Sequence, residues 1–235
     1  MRYEWFIGLR YLKAKRKQTF ISIITIISIA GVAVGVMALI VVLAVMNGFE
    51  KTLKEKIIGT QAHLVLLKAS QEGMDHYDEV VKRLEEVKGV VSAAPFILSQ
   101  VMLSSESNVT GSVLKGIDPG RVGKVTLLAQ NLKAGRLEDL KKKEGEDLPG
   151  IVLGVELAKH LSASVNDTIQ VISPLGTMTP MGMMPKMKRF RVVGIFHSGM
   201  YEFDNTLAYI SLEHAQSFFN LGDHVTGIEI KTEDV

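Results

Sequence analysis

Cysteine is absent from the chain. That excludes disulfides, thiolate metal sites and a cysteine nucleophile, so the fold must hold together by burial. Aromatic residues are sparse, at 6% with a single tryptophan, and the formal charge is +2, from 27 Lys+Arg against 25 Asp+Glu. So even a balance offers no electrostatic ground for a nucleic-acid partner. Nucleotide and nucleophile signatures are missing too. Gly120-Arg121-Val122-Gly123-Lys124-Val125 fails as a phosphate loop, which needs glycine where Asp118 stands and Ser or Thr where Val125 stands. The six histidines form no HExxH, and no G-x-S-x-G occurs. Glu156 and His160 lie one helical turn apart, a spacing that reads as a surface contact before it reads as a metal site.

The most telling absence is local. From Phe20 to Met46 the chain runs 27 residues without Asp, Glu, Lys, Arg or His. About 20 apolar residues cross the hydrocarbon core of a bilayer, so this stretch is long enough to span it. A cleaved signal peptide would carry only about 7–15 apolar residues before a small-residue cleavage site. Leu43-Ala44-Val45-Met46-Asn47 offers no such site, and the stretch reads as a retained membrane helix. Gly31 and Gly35 make a GxxxG inside it. They are either a face for packing against partner helices or the ordinary glycine content of membrane helices.

Charge sets the orientation. Residues 1–19 hold Arg2, Arg10, Lys13, Lys15, Arg16 and Lys17 against Glu4 alone. Positive flanks stay in the cytoplasm, so the N-terminus is expected inside and everything after Met46 outside. Tyr3 to Lys13 mixes aromatics with basic ends and suits a short interfacial helix, as plain anchor or as handle for a cytoplasmic partner. The expected organisation is a cytoplasmic interfacial segment (1–19), a transmembrane helix (20–46) and an extracytoplasmic domain (47–235).

In that last region the membrane helix continues over Glu50–Lys56 until Gly59, and Ala62–Leu67 reads as a strand. Residues 75–88 have helical spacing, with Asp75 as cap and Gly89 as stop. Val90–Ile117 suggests two or three strands broken by Pro95 and by Ser104–Asn108, before a turn at Asp118-Pro119-Gly120. Residues 136–150 read as a charged loop. Strands at Ile151–Leu153, Thr168–Ile172, Phe190–Phe196, Ala208–Ser211 and Val225–Lys231 alternate with helices at Val155–Leu161 and after Ser211, the latter stopped by Gly222. Interleaving without strict alternation gives an α+β class: one membrane helix, then a mixed α/β domain. The chain ends at Val235 directly after a strand, which leads us to expect further apolar spans beyond it.

Residues 174–187 stand apart. They hold three of the six prolines and five of the eleven methionines, with Lys186 as the one charge. A core strand does not tolerate that proline content, and a loop tip is ordinarily polar. Flexible, polarisable methionine recurs on surfaces that bind apolar partners. The favoured reading is a protruding hairpin or loop that docks into a hydrophobic groove. The other is a lid folded back on its own domain.

Several segments carry a family resemblance. Phe6-Ile7-Gly8-Leu9-Arg10-Tyr11-Leu12, Gly35-Val36-Met37-Ala38-Leu39 and Val45-Met46-Asn47-Gly48-Phe49-Glu50 resemble the start of lipoprotein-releasing ABC permeases of the LolC/LolE type. Leu114-Lys115-Gly116-Ile117-Asp118-Pro119 and Val152-Leu153-Gly154-Val155-Glu156-Leu157-Ala158 continue the match. Thr179-Pro180-Met181-Gly182, with Pro185 three residues on, is its most specific part. The earlier motifs are shared more loosely with macrolide-exporter and cell-division permeases.

The resemblance implies a periplasmic domain of the macrolide-exporter type and further membrane spans. It also implies a bacterial inner-membrane machine with a second permease subunit (a copy or a paralogue) and a pair of cytoplasmic ATPases that bind the ATP and magnesium, so that this chain needs no cofactor and is not itself an enzyme. Lipoproteins would leave the outer leaflet for a soluble periplasmic carrier, with membrane lipid around the spans. By resemblance the carrier-binding hook comprises Pro174, Leu175, Thr179, Pro180, Met181, Gly182, Met183, Met184 and Pro185. A supporting pad falls at Gln170, Met187 and Lys188, where this loop is about one residue shorter and Met187 replaces a polar residue. Val45, Met46, Asn47 and Phe49 would line the lipoprotein cavity. The rivals are a sister permease that exports drugs or peptides or controls a cell-wall hydrolase, and a single-span periplasmic sensor.

Overall fold

The computed structural model describes residues 2–13, 19–60, 62–68, 73–141, 148–179 and 182–233. Of residues 2, 12, 13, 19, 55–60, 175, 177–179, 182 and 183 the backbone alone is described. The chain divides into two compact units, Met1–Lys54 and Glu55–Val235.

The first unit is helical. Helix α1 covers Arg2–Lys13 and α2 covers Thr19–Thr60. Within Phe20–Lys54, an 18-residue stretch of α2 has a mean hydropathy of 2.9 and is not buried, and α2 is the one helix among the described residues long and apolar enough to cross a membrane. Its 42 residues make a rod of about 63 Å, roughly twice the hydrocarbon thickness. The helix continues past Met46 as expected and reaches Thr60, one residue beyond Gly59. Thr25 and Thr52 donate their hydroxyls to the carbonyls of Ile21 and Gly48 one turn back, which satisfies both side chains within the helix.

The second unit contains, in order, β1 (Leu64–Leu67), α3 (Tyr77–Glu85), β2 (Val90–Ser104), β3 (Val109–Ile117), α4 (Pro119–Val125) and β4 (Leu132–Gly135). A 3-10 turn at Leu137–Leu140 follows. Then come β5 (Gly150–Gly154), α5 (Val155–His160), β6 (Thr168–Thr179), β7 (Gly182–Phe196), α6 (Tyr201–Thr206), β8 (Leu207–Ser211), α7 (Leu212–Phe219) and β9 (Gly227–Thr232). All nine strands belong to one mixed sheet, in the order β1-β9-β2-β3-β8-β5-β7-β4. Strand β6 pairs with both β2 and β7, so the circuit β2-β3-β8-β5-β7-β6 closes on itself.

Closure follows from burial on alternate residues. Leu103, Leu114, Ile151, Leu153, Ile169, Val171, Phe190, Val192, Ala208 and Ile210 join one core, with α5 and α7 adding Leu157, Leu161, Ala215 and Phe218. The intervening residues Val152, Val193 and Tyr209 face a second core with Leu137, Leu140 and Phe196. Strand β5 is buried along its whole length because it lies between the two.

Several expectations are corrected. Val90–Ser104 is a single strand that runs through Pro95. The backbone of Phe96 and Leu98 bonds toward Thr226 on the β9 side. Pro95 therefore turns toward β3, where pairing begins only at Phe96, and no donor is missed. Asp75 does not cap α3. It pairs with Lys68 at 2.9 Å, which lowers its carboxyl pKa, while His76 takes the N-cap position in the left-handed region. Asn220, also left-handed, ends α7 ahead of Gly222. Asp118-Pro119-Gly120 opens a helix: the Asp118 carboxylate accepts from the Gly120 N–H at 2.9 Å, and Pro119 sits where no donor is needed. Strand β4, helix α6 and the 3-10 turn at Leu137–Leu140 carry too few residues to show a period in the sequence.

Candidate functional site: the β6–β7 hairpin

Strands β6 and β7 form an antiparallel ladder with as many paired residues as β2–β3, nine in each. Its base is an ordinary core strand pair. Ile169, Val171, Phe190 and Val192 are fully buried on one side, and Gln170, Ile172, Met187 and Arg189 alternate onto the other. The Phe190 ring meets Phe218 of α7 edge-on, with centroids 6.4 Å apart. Lys186 donates to the Phe218 carbonyl at 3.3 Å, a cation at a helix C-terminus where exposed carbonyls favour positive charge. Together these contacts tie the hairpin base to α7.

Pairing slips beyond Ser173↔Lys186 and resumes at Thr177↔Met184, so Pro174, Leu175 and Gly176 oppose Pro185 alone. This is a bulge, the place where a strand accommodates residues that cannot donate to a ladder. Gly176 is required there, since a Cβ would overlap the Met184 carbonyl. Past the bulge, Met178 pairs with Met183 and Thr179 with Gly182. Of the two forms expected for 174–187, hairpin or loop, the described residues form a hairpin. Of the predicted contact residues, Pro174, Met184 and Pro185 are exposed. Leu175, Thr179, Gly182 and Met183 are placed by backbone, and Pro180 and Met181 lie outside the described residues.

The predicted pad is only partly assembled. Gln170 donates to the Met187 sulfur at 3.3 Å, so these two meet on the outward face. Lys188 alternates to the opposite face, where its ammonium lies 5.8 Å from the Phe190 ring centroid. Between Asp167 and Glu202 the chain has no acidic residue, while Lys186, Lys188, Arg189 and Arg191 cluster at the hairpin base. The hairpin therefore joins an apolar tip to a basic foot.

In α2, a Cβ on Gly31 or Gly35 would meet nothing within 4 Å. At 100° per residue Gly31, Gly35, Ala38, Val42, Val45 and Phe49 fall within a sector of about 80°, small residues first and large ones last. Val45 and Phe49 share that stripe, Met46 falls about 20° beyond its edge, and Asn47 points about 160° away from Phe49. Val45, Met46 and Phe49 thus share about 100° of the helix surface, and Asn47 lies on the far side.

A family model described as the MacB-like periplasmic core domain matches residues 25–235. The chain belongs to that family. Over 98% of its length it is 38% identical to the lipoprotein-releasing system transmembrane protein LolC of Neisseria meningitidis serogroup B (strain ATCC BAA-335 / MC58). It is 39% identical over 97% of its length to LolC of Xylella fastidiosa (strain Temecula1 / ATCC 700964). LolE of Haemophilus influenzae (strain ATCC 51907 / DSM 11121 / KW20 / Rd) is 28% identical over the whole chain. These alignments cover 54%, 54% and 56% of the relatives, so the chain spans about half the length of the curated relatives it matches. The resemblance to LolC/LolE-type permeases thus extends along essentially the entire chain.

Within the family domain, two of the motifs that carried the resemblance do structural work. Lys115 of β3 pairs with Glu229 of β9 at 2.5 Å, its ammonium 5.2 Å from the Phe96 ring centroid, with both side chains nearly buried. Leu114 and Ile117 enter the two cores, and a Cβ at Gly116 would strike Ala215 of α7. Gly154 ends β5 against the Asp204 backbone in the same way. Asp204 is itself buried and accepts from the Ser198 amide at 2.7 Å and hydroxyl at 2.8 Å. Burial, then the Glu229 and Asp204 charges, push the Tyr209 phenol above its ordinary range. Glu156 bonds Lys159 at 2.7 Å. No group of three or more His, Cys, Asp or Glu suited to a metal occurs among the described residues.

Proposed function

We propose that this chain is the N-terminal part of a permease subunit that passes lipoproteins from the outer leaflet of the bacterial inner membrane to a soluble periplasmic carrier. The observation that carries the proposal is the β6–β7 hairpin: a buried, α7-braced base and, at and past a proline bulge, a methionine-rich end on which Pro174, Met184 and Pro185 are exposed. Rigid anchoring with an adaptable apolar tip suits insertion into a hydrophobic cavity. The names of the relatives favour lipoprotein release over drug export, hydrolase control or sensing.

In this reading α2 spans the membrane with the N-terminus cytoplasmic and the sheet domain periplasmic. The Gly31–Gly35 face packs on a second permease subunit, and the stripe ending at Val45 and Phe49 borders the lipoprotein cavity. Hydrolysis belongs to a separate cytoplasmic ATPase pair that binds ATP and magnesium. This chain supplies anchoring, relay of motion and docking, and carries out no chemistry of its own. Site-specific photocrosslinking in intact cells tests the docking step. A probe at Met181 is expected to capture a small soluble periplasmic protein and one at Lys82 of α3 is not. Capture of only its own chain from Met181 would make the hairpin end a lid and sink the docking reading.

A further inference from the structure

Strands β3 and β8 are parallel neighbours whose carboxyl ends stand side by side, with Ile117 opposite Ser211. The chain leaves them toward opposite faces of the sheet. Helix α4 follows β3 and sends Val122 into the second core, whereas α7 follows β8 and sends Ala215 and Phe218 into the first. Divergence of that kind opens a crevice beyond the carboxyl ends, the place where α/β sheets bind ligands. A cavity of about 220 Å³ lies there between the starts of α4 and α7, and α3 adds Tyr77 to its wall. Residues 120–125, which fail as a phosphate loop, form most of α4 and bring Arg121 to this cavity.

Arg121 is only partly satisfied. Its Nη2 pairs with Asp78 at 3.2 Å and its Nε with Asp118 at 3.5 Å, but the buried Nη1 meets no hydrogen-bond partner among the described residues. A buried guanidinium nitrogen without an acceptor is costly, and an oxygen of a bound ligand would relieve that cost. Lys141, directly after the 3-10 turn, lines the same cavity, as does Glu213 in the first turn of α7. From these groups we infer a binding site for a small zwitterion of amino-acid size, its carboxylate on Arg121 Nη1 and Lys141 and its ammonium toward Glu213. Charge placement selects the zwitterion. The two cations come from elements of the second core's face and Glu213 from α7 on the first, so a ligand with one charge engages only one side. Asp78, Asp118 and Glu213 already outnumber the two cations, which admits a singly charged carboxylate more readily than a phosphate. Size selects an amino acid, because pockets for drug-sized ligands run to about 300–1,000 Å³. Pro95, Pro119 and Leu212 supply an apolar wall for its side chain.

The test titrates L-leucine into the full-length permease with its partner subunits in phosphatidylcholine nanodiscs, with saturation-transfer NMR as the readout of Kd. Three comparison probes are N-acetyl-L-leucine, which lacks the ammonium, L-leucine amide, which lacks the carboxylate, and O-phosphoethanolamine, which carries phosphate instead. L-Leucine is expected to bind at least about fivefold more tightly than each of them. A smaller preference over any one, or no saturable binding of L-leucine up to about 10 mM, overturns the site. Arg121→Leu is expected to weaken L-leucine binding at least about fivefold, but it also breaks the pairs with Asp78 and Asp118. Lys141→Ala and Glu213→Gln change exposed residues and leave those pairs in place, which keeps the test valid if Arg121→Leu disturbs α4. Each is expected to weaken binding at least about threefold, and Glu213→Gln is expected to remove the preference over N-acetyl-L-leucine. Smaller losses in both variants place the binding elsewhere and overturn the assignment.

Discussion

The two ends of the β6–β7 hairpin are built from the same pair of strands yet obey opposite rules. At the base, Ile169, Val171, Phe190 and Val192 are fully buried and the ladder is regular. Past the bulge, proline and methionine replace branched and aromatic residues, and Met184 is 59% exposed. The base gains its stability from burial, whereas Pro174, Met184 and Pro185 of the outer end are exposed. One ladder can do both because the bulge at Pro174–Gly176 uncouples the registers on its two sides.

That contrast can be broken or sharpened experimentally. The largest effect is expected from Phe190→Ala, which empties a fully buried ring site against Phe218 and should destabilise the sheet domain by about 3–5 kcal/mol in denaturant unfolding. Gly176→Val drives a Cβ into the Met184 carbonyl. We expect a cost of about 1–3 kcal/mol, read as faster amide exchange at Thr177–Thr179 with the base protected as before. Uniformly faster exchange along both strands would show that the two ends form one cooperative unit. Lys186→Met removes the donor to the Phe218 carbonyl and should cost about 0.3–1 kcal/mol, seen as a small fall in denaturation midpoint. Met184→Ala should change stability by no more than about 0.5 kcal/mol and yet reduce carrier crosslinking.

Why some features were legible and others were not follows from the range of the interactions. Ser211 was readable as a cap because its hydroxyl reaches the His214 amide three residues on, and it does so at 3.3 Å. The strand through Pro95 was not, because only the neighbours β9 and β3 decide whether a missing N–H matters. The hairpin was anticipated as a protrusion from its prolines and methionines. Its bulged ladder was not, since strands are recognised by periods that proline interrupts. The structure brings Gln170 and Met187 together on one face and sets Lys188 on the other, a separation that sequence proximity hides because adjacent residues on a strand face opposite ways.

What the amino-acid sequence determined alone is therefore local or compositional: the charge-free run of α2, the basic segment before it, the absence of thiol chemistry and the unusual content of residues 174–187. Each depends on covalent neighbours or on simple counts. Tertiary structure decided the closed strand circuit, the Lys115–Glu229 brace and the cavity beyond the paired ends of β3 and β8. Those features join residues far apart in the chain, and only strand register, set by which faces are buried, brings them together.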